Sequence, residues 1–374
     1  MAKDTKAASV NKNISWWRTD FTSQDSESVA SAIKNEHISM GSLTQALEEA
    51  LAEKLNVKYV VATTSGSVAL LMAMMAIGIA PGDEVIVPNR TWIATAHAVT
   101  LLGGKVVLAD VLPDKPIMDV SKLESYITKN TKAVIPVPLN GRAVDMKSVW
   151  EVAKKHNLKV IEDSAQGLLC PYASGRHYMG TRSDMGCFSF SIAKLLPTGQ
   201  GGFIATNDVE HYANLKRIRM HGVDSLMHCR FNQPGFNFRI TDMQSALGLS
   251  QLKTIEQRIE KLKTIYGIYE KALNEIKNIS LIKVNVENGE IPIYIEIICQ
   301  NRDELKARLA MANIETKEFY PNLNTAKHLE QLAEDKNSNR FESQGLTLPS
   351  GPGQSFDDIR RSISVLKSVL ENEG

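Results

Sequence analysis

From about residue 58 this chain repeats one pattern: a short run of β-branched and apolar residues, then a stretch with helical spacing. KYVVAT, EVIVP, KVVLAD, KAVIPV, LKVIED, CFSFS and GFIATN are the runs. Strands that alternate with helices build βα units, whose strands pair in parallel. The expectation is an α/β protein with a mostly parallel seven-stranded sheet.

The intervals support this reading. Asp145 can cap a helix whose Met146, Val149, Trp150 and Ala153 share one buried face. Val68–Ala80 is apolar all round, so a helix there should be sandwiched inside the domain or at a subunit contact, with Pro81-Gly82 as its stop. Thr241 to Asn274 reads as one long helical stretch with Asp242 near its start. It turns from Ala/Leu-rich to Lys/Glu-rich midway, as a helix does on leaving one core for another. SLIKV, IPIYIEIIC, a helix at Asp303–Ala312, TKEFYP and an amphipathic helix at Phe356–Leu370 then make a smaller α+β domain. A chain of 374 residues exceeds one core. The expected division is an N-terminal arm at 1–19 with a polar lead-in, a large domain at 20–250 and a small domain at 251–374.

A net charge of +1 argues against nucleic acid or a membrane surface as the main partner. Cys170, Cys187, Cys229 and Cys299 show no zinc or redox spacing. The N-terminus has no secretory apolar segment, and the Val68–Ala80 run is too short to span a bilayer. A reduced cytoplasmic setting is expected.

Four segments carry chemistry. TTSGS (63–67) joins a strand to the apolar helix, and such a turn offers backbone N–H groups at the positive end of a helix dipole, suited to phosphate. Ser65 or Ser67 could equally be a plain N-cap. The turn lacks GxGxxG and GxxxxGKS, which weakens dinucleotide and nucleoside triphosphate readings. In IEDSAQG, Asp163 ends a strand, where a carboxylate can keep a ring nitrogen protonated or simply cap a turn, and Gln166 follows three residues on. Trp92, after EVIVP, can stack on a planar ring or serve as core. In GCFSFSIAKLLPTGQGG, Lys194 lies beyond an apolar strand, where burial would leave an amine partly uncharged and able to condense with an aldehyde, or it could be an ordinary solvated loop lysine. Ser189, at the end of that strand, could add a donor to a phosphate. Together these parts suit pyridoxal 5′-phosphate (PLP).

The chain resembles the DegT/StrS family of sugar aminotransferases, built on the fold type I scaffold of PLP enzymes. The resemblance runs from about Asn35 to the C-terminus through SGSVAL, PGDEVIVPNRTWIATAHAV, VIEDSAQG, FSFSIAKLLPTGQGG, GFNFRITDMQSALGLSQL and IETKEFYP. It implies that Lys194 forms the Schiff base, Asp163 pairs with the pyridine nitrogen and Gln166 contacts the 3-oxygen. It also implies that Trp92 stacks on the ring, and that Gly66, Ser67 and Ser189 hold the phosphate. Asn237 would reach the partner's cofactor in a homodimer with shared active sites. Tyr320, Asn324, Arg239 and Arg90 are candidate substrate contacts. Ser191, Gln200, PLNGRAVDM, Asn324 and Arg90 depart from the family's usual residues and bear on substrate, since the cofactor positions are intact. Lys194 argues against the family's dehydratase branch, which carries histidine there.

The expected activity is transfer of an amino group from an amino acid, L-glutamate, to a keto-sugar linked to a nucleoside diphosphate. A free keto-cyclitol acceptor, a cofactor-free Schiff-base lyase and a non-catalytic protein that keeps the fold stand as alternatives.

Overall fold

Each β-rich run forms a strand of one seven-stranded sheet, ordered β1-β7-β6-β5-β4-β2-β3. The computed structural model describes residues 13–371 apart from 173–174, 176, 226, 228–229, 232, 277 and 330–334. Cys229 and residues 1–12 of the expected arm lie outside the described residues. The large-domain elements are α1 (Ser23–Lys34), α2 (Ser42–Leu55), β1 (Tyr59–Thr63), α3 (Gly66–Ala76), β2 (Glu84–Pro88), α4 (Ala94–Thr100), β3 (Lys105–Ala109) and β4 (Thr131–Val134). They continue with α5 (Met146–His156), β5 (Lys159–Asp163), β6 (Met185–Ser189), β7 (Gly202–Thr206), α6 (Val209–Arg219) and α7 (Asp242–Leu252). The β3-β2-β4-β5-β6 pairs are parallel, and only β7 runs against its neighbours β6 and β1. The ends of β1, β2, β5 and β6 therefore share one sheet edge.

Asp145 caps α5 by accepting from the Ser148 N–H at 3.2 Å, and Met146, Val149 and Ala153 are buried as their spacing predicts. Two expectations need correction. The apolar helix α3 ends at Ala76, before Pro81-Gly82, because Gly78 (φ 71°) takes the left-handed conformation and closes a Schellman cap: its N–H bonds Met75 O, and Ile79 N–H bonds Met74 O. The stretch from Thr241 is two helices, α7 and α8 (Ile255–Leu273), because the N–H groups of Lys253 and Thr254 bond back to Ser250 and Gln251 in a tighter turn.

Beyond α8 the chain forms β8 (Ile279–Leu281), β9 (Ile295–Cys299), α9 (Arg302–Met311), β10 (Lys317–Glu318), α10 (Lys336–Gln344), β11 (Gly345–Leu348) and α11 (Phe356–Glu371). Its strands make a second sheet, ordered β10-β11-β9-β8. Helix α8 links two cores: Ile255 and Leu262 pack with the large sheet, whereas Ile265, Tyr266, Tyr269 and Leu273 pack with the small one. Residues 14–17 bridge to Ile314 and Ser350, so the described part of the arm follows the small sheet. Asp242 has an unforeseen role. Its buried carboxylate accepts from the N–H groups of Gly41 (2.8 Å), Leu43 (3.2 Å) and Thr44 (2.9 Å), capping α2 where Gly41 offers no side chain.

Candidate active site

The loops leaving the shared sheet edge wall a cavity of about 380 Å³. Gly66, Ser67, Trp92, Asp163, Gln166, Ser189, Lys194 and Tyr320 line it together.

One end is the start of α3. Ser65 is its N-cap and takes the Val68 N–H at 3.1 Å, which leaves Gly66 and Ser67 at the cavity wall. First-turn N–H groups have no carbonyl partner within the helix and sit at its positive end. A Cβ at Gly66 would lie 2.8 Å from Ser189 Cβ, so a side chain there would enter the notch between the two segments. Gly202 permits the approach: a Cβ there would lie 2.6 Å from Gly66 N and 2.5 Å from Phe188 O.

At the other end, Asp163 closes β5 and is buried. Thr95 Oγ1 lies 2.7 Å from Asp163 Oδ2, and the Ala165 N–H reaches Oδ1 at 3.3 Å. Burial raises the Asp163 pKa, while Thr95, Ala165 and the charge of Lys194 pull it back down. Its neighbour Glu162 points to the opposite face, where it meets Tyr172 and the Gly180 N–H, so the strand's alternation sends only Asp163 into the cavity.

Between these ends stands Lys194. Burial lowers its pKa to about 8, against the pull of Asp163 and with a further push from Lys317. An amine in that range is about one-tenth uncharged at pH 7, far more than an ordinary lysine, and can act as nucleophile or base. Trp92 remains 54% exposed, set edge-on to Tyr320 with centroids 5.1 Å apart. Gln166 Oε1 accepts the Asn140 N–H at 2.7 Å, and the Gln166 side chain also bonds the Tyr320 hydroxyl, whose pKa burial pushes up to about 12.

Four other expected residues lie outside this wall. Arg90 is buried behind it, donating to Tyr320 O and to Asn322 Oδ1 (3.0 Å) with its guanidinium over the Phe319 ring. It shapes the segment bearing Tyr320. The Asn324 N–H bonds Asn89 Oδ1 at 3.0 Å. Asn237 is exposed and accepts from Arg239 Nε at 2.8 Å, and neither residue lines the cavity of its own chain.

Trp16, Thr95, Asn140, Tyr294 and Lys317 escaped the sequence reading. Thr95 had a local signal, since it stands one helical turn after Thr91. Asn140 had none. It adopts φ 55°, ψ 37°, exchanges hydrogen bonds with the Tyr294 backbone (2.6 and 2.9 Å) and donates to Glu296 Oε2 at 3.0 Å. Arg142 pairs with the same Glu296 oxygen at 2.6 Å. PLNGRAVDM thus plugs the large domain into β9, and the Tyr294 hydroxyl continues the chain to Ala193 O at 2.9 Å, next to Lys194.

An amine between a helix N-terminus and a buried carboxylate, with aromatic rings in the same wall, is a set of groups whose chemistry suits a phosphorylated heterocycle that bears a carbonyl. The chain belongs to the DegT/DnrJ/EryC1/StrS aminotransferase family, whose model matches residues 19–367. It is similar to GDP-perosamine synthase of Caulobacter vibrioides, with 36% identity over 89% of this chain and 91% of the relative. A second relative is UDP-2-acetamido-2-deoxy-3-oxo-D-glucuronate aminotransferase of Pseudomonas aeruginosa, 35% identical over 74% of this chain and 76% of the relative. Among solved structures, DesV of S. venezuelae in complex with a ketimine intermediate superposes with a TM-score of 0.88 at 28% identity, covering 93% of this chain and 94% of that one. Among the described residues no helix is long and apolar enough to cross a membrane, and no cluster of three or more potential metal ligands occurs.

Proposed function

We propose that this aminotransferase uses PLP to move an amino group from L-glutamate to a keto-sugar carried on a nucleoside diphosphate, as a cytoplasmic homodimer. The observation that carries the reading is the convergence of Lys194, with its pKa near 8, and the buried Asp163 in one cavity. Both curated relatives described above are named for nucleotide-linked sugars, which supports the acceptor class.

When bound, PLP supplies an electrophilic aldehyde and a ring that absorbs the electron pair left on carbon by proton removal. The protein's residues do the rest. Gly66 and Ser67 N–H groups and the Ser189 hydroxyl bind the phosphate. Asp163, oriented by Thr95, holds the ring nitrogen in its protonated state. Gln166 has its Oε1 occupied by Asn140 and meets the Tyr320 hydroxyl, so the remaining N–H of its Nε2 would donate to the ring oxygen. Trp92 covers the ring face. Lys194, with its amine free, would remove the proton from the donor's α-carbon and hand it back elsewhere on the same framework. The same lysine would move the proton in the opposite sense for the keto-sugar, so that overall L-glutamate and keto-sugar become 2-oxoglutarate and amino-sugar, the amino group and the carbonyl oxygen changing places.

The dimer follows from the family resemblance and gains support from the surface. Met227, Phe231 and Phe236 are 86%, 79% and 65% exposed, on the segment that leads to Asn237. Three large apolar side chains exposed along one segment fit a surface that a partner covers.

Purified holoenzyme with L-glutamate and a panel of nucleotide-linked keto-sugars and free keto-cyclitols, scored by mass, tests the reading. Amination of one or more nucleotide-linked members is the expected result. Amination of free keto-cyclitols alone would contradict the acceptor class.

A further inference from the structure

Two cations face the cavity, and only Lys194 has a task in the reaction just described. The other, Lys317, opens β10, the edge strand of the small sheet, opposite Thr347. Side chains alternate along a strand, and the adjacent Glu318 is taken by Lys306 and lies 3.7 Å from Arg302. Glu296, beside Lys317 in the adjoining cleft, is held by Arg142 and Asn140. Among the described residues no carboxylate forms an ion pair with Lys317. Its ammonium instead lies 4.6 Å from the Trp16 ring centroid and 5.1 Å from that of Tyr320. Aromatic faces attract a cation but accept none of its three N–H donors in the way an oxygen does. Partial burial lowers the Lys317 pKa.

We propose that Lys317 binds the α-carboxylate of the amino-acid donor, an inference that rests on the aminotransferase reading. An α-carboxylate is one bond from the carbon whose amine must react beside Lys194, so its binding group must be close to Lys194. The charge of Lys317 acts directly on Lys194 and lowers its pKa. This supplies two consecutive effects. Before PLP is bound, Lys317 favours the neutral form of Lys194, the form that condenses with the aldehyde. Once the carboxylate is bound, the positive charge is neutralised and Lys194 becomes a stronger base for the proton transfer that follows.

The test is the half-reaction of holoenzyme with L-glutamate, read as 2-oxoglutarate released per protomer, in wild type, Lys317→Met and Lys317→Arg. A charge-assisted contact of this kind predicts that Lys317→Met raises the half-saturating L-glutamate concentration at least about tenfold. The preference for L-glutamate over 4-aminobutyrate, which lacks the α-carboxylate, should fall by a similar factor. Lys317→Arg should restore most of both. Half-saturation by the nucleotide-linked keto-sugar should change less than about twofold, which also shows that the cavity has not collapsed. Unchanged L-glutamate saturation in Lys317→Met, or an effect confined to the sugar, overturns the inference and leaves the proposed function standing. A wild type that deaminates no amino acid overturns both. Failure of the sugar panel alone touches only the acceptor.

Discussion

Thr95 Oγ1 sits 2.7 Å from Asp163 Oδ2, joining the first turn of α4 to the end of β5. This is the one side-chain hydroxyl that meets the carboxylate among the described contacts, and it fixes the direction in which the other oxygen points. Burying this carboxylate costs stability, and its raised pKa has that burial as its largest cause, opposed by Thr95, Ala165 and the charge of Lys194. For a carboxyl with raised native pKa, the penalty is absent below its unfolded pKa and grows as pH rises toward and through the folded value. Asp163→Asn should therefore stabilise the cofactor-free protein at neutral pH, by a few degrees in a thermal melt, and lower turnover by about 10²-fold or more. Melting curves of the cofactor-free forms, set beside steady-state rates, check both halves.

Lys194 gives the opposite sign. Its native pKa of about 8 lies below the ordinary 10.5, so the unfolded chain binds more protons between those values. The cost of burying this charge is fully present below pH 8 and is relieved as pH rises toward 10.5. The rate at which cofactor-free protein takes up PLP should climb with pH around a midpoint near 8, tracking the neutral amine. Stopped-flow absorbance across pH 6.5–9.5 reads it directly, and a flat profile would oppose the assignment.

Gly202→Ala probes the phosphate notch. The added methyl would lie within 2.6 Å of backbone atoms of Gly66 and Phe188, so either α3 or β6 must shift. Affinity for PLP should fall at least about tenfold, with smaller changes in the affinity for free substrates. Equilibrium dialysis with PLP measures it.

Glu296 carries the link between the two sheets. Glu296→Ala would leave the Arg142 guanidinium, 1% exposed, without its carboxylate. Breaking a buried pair this way costs about 3–5 kcal/mol, whereas replacing both partners by apolar residues of like size costs much less. Urea unfolding of Glu296→Ala against Arg142→Met/Glu296→Leu should show that order. Turnover should fall in both, because Asn140 and Tyr294 lose the frame that aligns Gln166 and the loop before Lys194.

The parallel sheet was legible because each run had the length and composition of a strand, and strand ends identified Asp163, Ser189 and Trp92 without any contact information. Helices α1 and α2 were not anticipated, although Thr22 and Asp25 form a capping box and Leu47, Leu51 and Leu55 fall on one buried face. The break after α7 left no Gly or Pro to mark it. Arg90 looked like a substrate contact since it precedes Thr91-Trp92, yet its partners Phe319, Tyr320 and Asn322 lie some 230 residues away in sequence. Asn140, Tyr294 and Lys317 were hidden for the same reason: their roles arise only when the small sheet packs over the large one.

The most direct measurement is borohydride reduction of protein saturated with PLP, followed by peptide mass mapping. A single reduced adduct on Lys194, lost in Lys194→Ala, is the expected result. No adduct, or one on Lys317 or another lysine with Lys194 unmodified, would contradict the account.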